Sequence, residues 1–531
     1  MISRSVALVC GLLTVVGTQA AVPDKNTSAW WGHIKVLASD DFQGRLTGSS
    51  GYRKAAQYVA KQFETDGLQP AGTDGYFQKV DFDVQTIDVA GSKVRLKESG
   101  AAAAVDVSDN VVIATGTEQR GSTQAPLIFA GYGIHVPEAG VDDFAGLDVR
   151  GAVVVLVVGG PDSVSGAQRA YSLVEALPHY LEEHGAVGYI ALTAPKNREV
   201  PWERQKAAGS QPGMLLAERA LRRFHKPLFA AAFDETKAEA LFAHSGHTFA
   251  ELVPLAEAHK PLPRFKLAVT VDADVKTTVS KVSADNVVAE LPGSDPVAAG
   301  EAVVLSAHLD HLGTGKPDHG DGIFHGAMDD ASGVASLLEV AHAIHTSNAK
   351  PRRSILFVAV CAEEKGLLGS RYFAAHPTRH AGKIVADINS DMFLPLYPLK
   401  RVVGFGADES TMGEDARAVG KQLGVELVPD PQPDHVIFVR SDQYNFVRKG
   451  VPALMLEMTP RQGAEEATYQ QWFSQRYHAQ ADDLSQPVDL AAADAYDQLI
   501  LKLALRVADA PAAPTWHSNS FFAGFAAHPL P

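Results

Sequence analysis

Three short apolar runs each end in groups that bind metals or move protons. Val303–Ala307 runs into His308-Leu309-Asp310, Ile355–Cys361 into Ala362-Glu363-Glu364, and Ile384–Asn389 into Ser390-Asp391. A polar, Gly-rich loop follows the first run and closes in Gly326-Ala327-Met328-Asp329-Asp330-Ala331-Ser332-Gly333. Runs of this length and β-branched content read as buried strands. Strands that finish together in His and carboxylates describe the carboxyl edge of a parallel sheet, where open α/β sheets bind ligands. Imidazole with several carboxylates and no thiolate suits a borderline or hard divalent ion, zinc first, with cobalt or manganese behind it.

Each piece also has an ordinary reading. Asp329-Asp330 ahead of Ala331-Ser332-Gly333 is equally a helix cap. Glu363-Glu364 is equally the solvated start of a loop, and Asp391 a lone strand-end charge. His311, His319 and His325 lie in the same loop as His308 and compete with it as ligands. Cys361 reads as a small core residue, because nothing in the neighbouring sequence would lower its pKa.

The elements around these groups alternate. Asn286–Glu290, Val402–Gly406 and Ala453–Leu456 are further strand candidates, and Val334, Leu337, Leu338, Ala341 and Ile344 share one face of a helix over Gly333–His345. This alternation predicts an α/β fold with a mainly parallel mixed sheet flanked by helices. Upstream, Tyr52, Ala55, Ala56, Val59, Ala60 and Phe63 mark another amphipathic helix, stopped at Gly67. The turn-rich Phe42–Gly48 before it either borders a cleft or simply connects. From about Val105 to Leu267 short β-rich runs take over (Leu127–Ile134, Val153–Gly160, Val187–Ala194), with a helical stretch at Leu173–His184 and no recurring cluster of metal ligands. The expected organisation is a discontinuous domain over 21–104 and 276–510, a β-rich domain with a binding or lid role inserted at 105–275, and a tail at 511–531. The tail ends in Phe521, Phe522 and Phe525, so it is either loose or docked on the body.

With 531 residues the chain exceeds one typical core. Its 46% hydrophobic and 21% charged residues are ordinary for a soluble globular protein, and a formal net charge of -15 argues against nucleic acid and anionic membrane surfaces as partners. Residues 1–20 have an early Arg4, an apolar Val6–Val16 and small residues at Ala20-Ala21, which reads as a secretory signal. The expectation is export to the periplasm or the extracellular space, with no membrane insertion after signal cleavage. Cys10 leaves with the signal, so Cys361 has no intrachain disulfide partner.

Taken together and in order, HLDHLG, GAMDDASG, CAEEKGLLGS, the strand-end SDMF, RSDQYNF and YHAQADDL resemble the signatures of the M28 family of zinc aminopeptidases. The resemblance covers roughly Asp41–Pro70 and Val279–Leu505, and the β-rich middle is similar to the protease-associated domain inserted in many secreted members. It implies an enzyme that hydrolyses peptide substrates with two zinc ions per chain. One ion would take His308 and Asp391, the other Glu364 and His478, with Asp329 bridging both. It further implies Glu363 as general base, Tyr477 as an oxyanion-stabilising group, and Asp310 orienting His308 from behind. Gln443 in RSDQYNF stands where relatives often have His, a departure expected to bear on the pocket more than on metal binding. Carboxypeptidases and single-zinc glutaminyl cyclases share the family, and some relatives are non-catalytic receptor ectodomains. The full set of ligand positions with Glu363 favours the dizinc hydrolase.

Overall fold

The computed structural model describes residues 28–530 apart from 138–139, 199, 318–319, 379–381 and 433–435. The expected signal segment and His319 lie outside the described residues. Among the described residues no helix is long and apolar enough to cross a membrane.

The larger sheet carries the site. Its order is Gly213–Leu216, Phe77–Ile87, Thr277–Leu291, Ser354–Val360, Glu301–His308, Lys383–Asn389, Ala453–Met458, Arg401–Phe405 and Glu426–Val428, with Gln69–Pro70 paired off this path. The four strands from Ser354–Val360 to Ala453–Met458 run parallel. Antiparallel partners close this parallel block on both sides. The parallel strands are buried along almost their whole length, which is why they read as continuous apolar runs. Register sets the edge: His308 lies opposite Val360, and Ser306 opposite Asn389. The residues that follow each strand therefore emerge side by side.

The helices are fixed by caps and apolar stripes. Ser49 caps the helix Ser50–Thr65 by accepting the Tyr52 N–H, and Tyr52, Ala55, Ala56, Val59 and Phe63 face the core. The helix Ala331–Ser347 ends in a left-handed Asn348. Ala29–Leu37 packs on that helix, with Trp30 Nε1 3.1 Å from both the Ser332 carbonyl and the Ser336 hydroxyl.

A second sheet of eight strands spans Lys93 to Asp274. It begins upstream of the expected boundary at residue 105. The paired strands Phe77–Ile87 and Thr277–Leu291 run from the first sheet towards the second, and Lys93–Glu98 alternates polar and apolar residues, so no compositional break marks the crossing. The second sheet is mixed rather than simply β-rich: Ser122–Ala130, Val153–Val158, Gly188–Thr193 and Phe229–Phe233 are parallel neighbours.

The two units are tied at several points. Gly213–Leu216 leaves the inserted segment to pair with Phe77–Ile87 in the first sheet. Glu175 of the insert lies 2.8 Å from Arg448 and 3.6 Å from Arg371 of the host, all with little exposure. The tail docks: Phe522 is fully buried, and Phe521 and Phe525 pack against Tyr171 of the insert.

Candidate metal centre

Asp329 and Asp330 separate into different jobs. Asp330 caps Ala331–Ser347 by accepting the Gly333 N–H at 2.9 Å, and its Oδ1 also takes the Met392 N–H at 3.2 Å. Asp329 turns into the cleft; the peptide between the two is cis. Its Oδ1 lies 3.2 Å from His308 Nε2, and its Oδ2 3.3 Å from His478 Nε2. His308 Nε2 is also 3.5 Å from Asp391 Oδ1, and His478 Nε2 is 3.3 Å from Glu364 Oε2. Donors bound tetrahedrally to one zinc at roughly 2.0–2.1 Å stand about 3.3 Å apart. Both groups have that spacing, and Asp329 offers one oxygen to each. The residues present could therefore hold two divalent cations.

Glu363 and Glu364 diverge from adjacent positions. Glu364 joins the His478 group, while Glu363 Oε2 lies 4.0 Å from His308 Nε2. Burial, first of all, pushes the Glu363 carboxyl well above its ordinary range; His308 opposes this, and Asp391, Glu364 and Asp442 add to it. Burial works to raise Asp329 as well, but the imidazoles of His311, His308 and His478 outweigh it and hold that carboxyl well below its usual value. His478 is pushed up to about 9, Glu364 and Asp329 overcoming its burial. Each shift follows from packing like and unlike charges into one largely buried cluster.

Supporting contacts correct parts of the sequence reading. His308 Nδ1 faces the backbone carbonyl of Asp310 at 3.1 Å, not its carboxylate. The Asp310 carboxylate instead accepts the Glu363 N–H at 3.0 Å, so it sets the turn that carries Glu363. The motif order pairs His308 with Asp310 by proximity along the chain; the tight turn at the strand end makes the peptide oxygen the nearer acceptor. Gln443 is fully buried beneath the site rather than in a substrate pocket. Asn389 Nδ2 donates to Gln443 Oε1 at 2.9 Å and to Ser441 Oγ at 2.8 Å, and Ser441 Oγ donates to Asp391 Oδ2 at 2.5 Å. Gln443 thus belongs to a relay that orients Asp391.

Tyr477 stacks on His478 with ring centroids 4.0 Å apart, and Arg204, from the insert's helix Trp202–Gly209, donates to the Tyr477 carbonyl at 3.4 Å and the Ser474 carbonyl at 3.3 Å. His325 sits at the rim, 3.1 Å from Asp40 Oδ1, and forms a separate exposed group with Asp321. His311, one competitor among the loop histidines, is inside: its Nδ1 lies 2.7 Å from Glu364 Oε1, and it groups with Asp329 and Glu364.

Two residues gave little sequence signal. Arg45 is fully buried, and its guanidinium donates to the carbonyls of Leu37, Leu309, His325, Gly326 and Asp329. It ties the His308 loop to the Asp329 loop, so the Phe42–Gly48 segment is a brace for the site. Asp482 accepts the N–H groups of Met328 and Asp329 at 3.0 Å each. The ADD after His478 was its only trace in sequence.

Residues 286–504 match the family model described as peptidase family M28. The chain is 28% identical over 222 residues to leupeptin-inactivating enzyme 1 of Streptomyces exfoliatus, covering 40% of this chain and 46% of that one. It is 28% identical over 270 residues to a probable leucine aminopeptidase 2 of Aspergillus oryzae, covering 49% and 50%. The matched segments thus span about half the length of these curated relatives. Across 91% of this chain and 94% of the other, the fold is similar to that of an aminopeptidase from Aneurinibacillus sp. strain AM-1, with a TM-score of 0.53 at 18% identity.

Proposed function

Because residues 286–504 match the family model described as peptidase family M28, we propose that this chain is an exported zinc aminopeptidase that holds two ions at this site and removes N-terminal residues from peptides. The observation that carries the reading is Asp329, which turns one oxygen to His308 and the other to His478. His308 and Asp391 would hold one ion, Glu364 and His478 the other, with Asp329 shared. Bound there, the ions would acidify a water and polarise the scissile carbonyl. Similarity to the probable leucine aminopeptidase 2 of Aspergillus oryzae supports the amino-terminal direction of attack.

The chain's own groups supply the rest. Glu363, held by Asp310 through its backbone, takes the proton of the attacking water and delivers it to the leaving amine. Its raised carboxyl suits that exchange, because a base must also give the proton back. The Tyr477 hydroxyl, beside His478, would donate to the oxyanion that forms at the carbonyl. The inserted segment, gripping the Tyr477 loop through Arg204, is proposed to frame the cleft as a protease-associated-like unit.

The test is metal content per chain on protein purified without chelator, with hydrolysis of a panel of aminoacyl anilides. The expected result is two zincs and activity that chelator removes and zinc restores. One tightly held zinc without anilide turnover would redirect the assignment to a cyclase or carboxypeptidase, and no metal to a binding protein.

A further inference from the structure

Where the insert meets the host, positive charge gathers around a small cavity. The cavity, of about 90 Å³, is lined by Arg222 and Arg223 of the insert and by Lys365, Gly366, Leu368 and Arg371 of the host. Two of these cations have partners. Arg222 is buried, and its guanidinium lies 2.6 Å from Asp83 and 3.2 Å from Glu118, which also pairs with Arg219. Arg371, buried too, donates to the Leu221 carbonyl at 3.0 Å and shares Glu175 with Arg448. Arg223 and Lys365 are half-buried, and among the described residues neither has a hydrogen bond or an ion pair. Burial, and after it the like charges of Arg448 and Arg223, push the Arg371 guanidinium well below its ordinary range against the pull of Glu175 and Tyr444. Cations drawn out of bulk water with too few carboxylates cost free energy unless an anion joins them.

We propose that this cavity binds one small oxyanion, a carboxylate or an inorganic anion of the sulfate type, between Arg223 and Lys365. It has room for one such group or a few waters. The two cations stand on different units, so the anion ties insert to host as well as filling the cavity. The helix Leu368–Ala375 starts at the cavity with no side chain capping it, and its positive end adds to the field. The cavity borders the metal centre without being part of it, for none of the residues assigned to the ions lines it. Lys365 comes two residues after Glu363, within roughly 7 Å along the backbone, and the Gly366 N–H donates to the Glu363 carbonyl at 2.8 Å. One source of the anion is therefore a carboxylate on the leaving part of a peptide, where Glu363 delivers its proton. The other is a free anion from solution.

The test is isothermal titration of the zinc-loaded full chain with sodium sulfate at constant ionic strength, on the wild type, on Arg223→Gln and Lys365→Gln singly, and on the two combined. The wild type is expected to bind a sulfate that the double variant holds about tenfold more weakly or worse, since each cation supplies a charge-assisted hydrogen bond. Each single variant is expected to fall between them, and carries the comparison if the double variant melts early. A wild type that binds no sulfate would overturn the proposal, and so would sulfate bound equally well by every variant. Kinetics separate the two sources, and this arm alone rests on the proposed activity. With leucylglycine and its amide as substrates, an anion supplied by the leaving part appears as a KM about tenfold higher in the double variant for the dipeptide and not for the amide. A free anion appears as sulfate changing the turnover of both substrates in the wild type and of neither in the double variant. If neither substrate is turned over, the aminopeptidase reading fails while the titration still decides the cavity.

Discussion

The host sheet and the inserted sheet are built alike, and they spend their charges differently. Both contain parallel strands with apolar interiors. In the insert, charged groups pair off: Arg198 with Glu235, and Arg219 with Glu118. In the host, imidazoles and carboxylates crowd one sheet edge, with His308, His311, Asp329 and Glu364 packed against one another in the interior. A parallel sheet edge is thus only a place where a site can be built. What distinguishes the host edge is that imidazoles and carboxylates from several strand ends gather there within ligand distance of one another.

The comparison predicts large effects in the host and small ones in the insert. Glu363→Gln should lower kcat by about 10³-fold or more, the range for a lost general base, with metal content per chain unchanged; near-normal turnover would remove the base assignment. Arg45→Ala should destabilise the fold by about 3 kcal/mol or more, since it strips donors from several buried carbonyls at once, and should weaken both ions. Denaturant melts with and without zinc would show it, and an unchanged midpoint would mean that water replaces the guanidinium. Ser441→Ala should loosen the ion at His308 and Asp391 by about tenfold while sparing the other, read by zinc titration; equal loss at both would deny the relay.

The insert's own residues should matter less. Arg204→Ala is expected to change kcat/KM by only a few-fold, because its hydrogen bonds to the Tyr477 loop are partly exposed and worth about 1 kcal/mol. A loss as large as that of Glu363→Gln would erase the contrast between the units. The smallest signal is a pH slope. Burial raises the Asp143 carboxyl to about 6 despite N–H groups from Ile134 and Tyr132. The folded insert therefore keeps a proton that the unfolded chain releases nearer pH 4, and this residue's contribution to stability falls as pH rises from about 4 to 6. Asp143→Asn should flatten that part of the stability profile; an unaltered slope would place the carboxyl at an ordinary pKa.

Much of the host was legible because the parallel strands are buried on both faces and their ends carry the chemistry. Val303–Ala307 and Ile355–Cys361 differ from the observed strands only at the ends. What sequence did not disclose is contact at long range. Arg45 reaches Leu309 and Asp329 across hundreds of residues, and no periodicity encodes that. His311 differs from His325 only in where the chain turns, and Gln443 works through Asn389 and Ser441, a path visible only in three dimensions. The start of the insert was obscured for a related reason, since the Phe77–Ile87 and Thr277–Leu291 pair serves as one continuous ribbon.

The strand Gly213–Leu216 has a practical consequence for anyone wishing to trim this molecule. It is chemically part of the insert and geometrically the outermost member of the host sheet, hydrogen-bonded to Phe82–Gln85 and buried throughout. Splicing residue 92 directly to 276 would take it away and leave Phe77–Ile87 with a bare row of peptide groups, an invitation to sticky intermolecular pairing. A trimmed version of the host should therefore carry a replacement edge, or charged residues on the newly exposed strand, if it is not to associate through that strand.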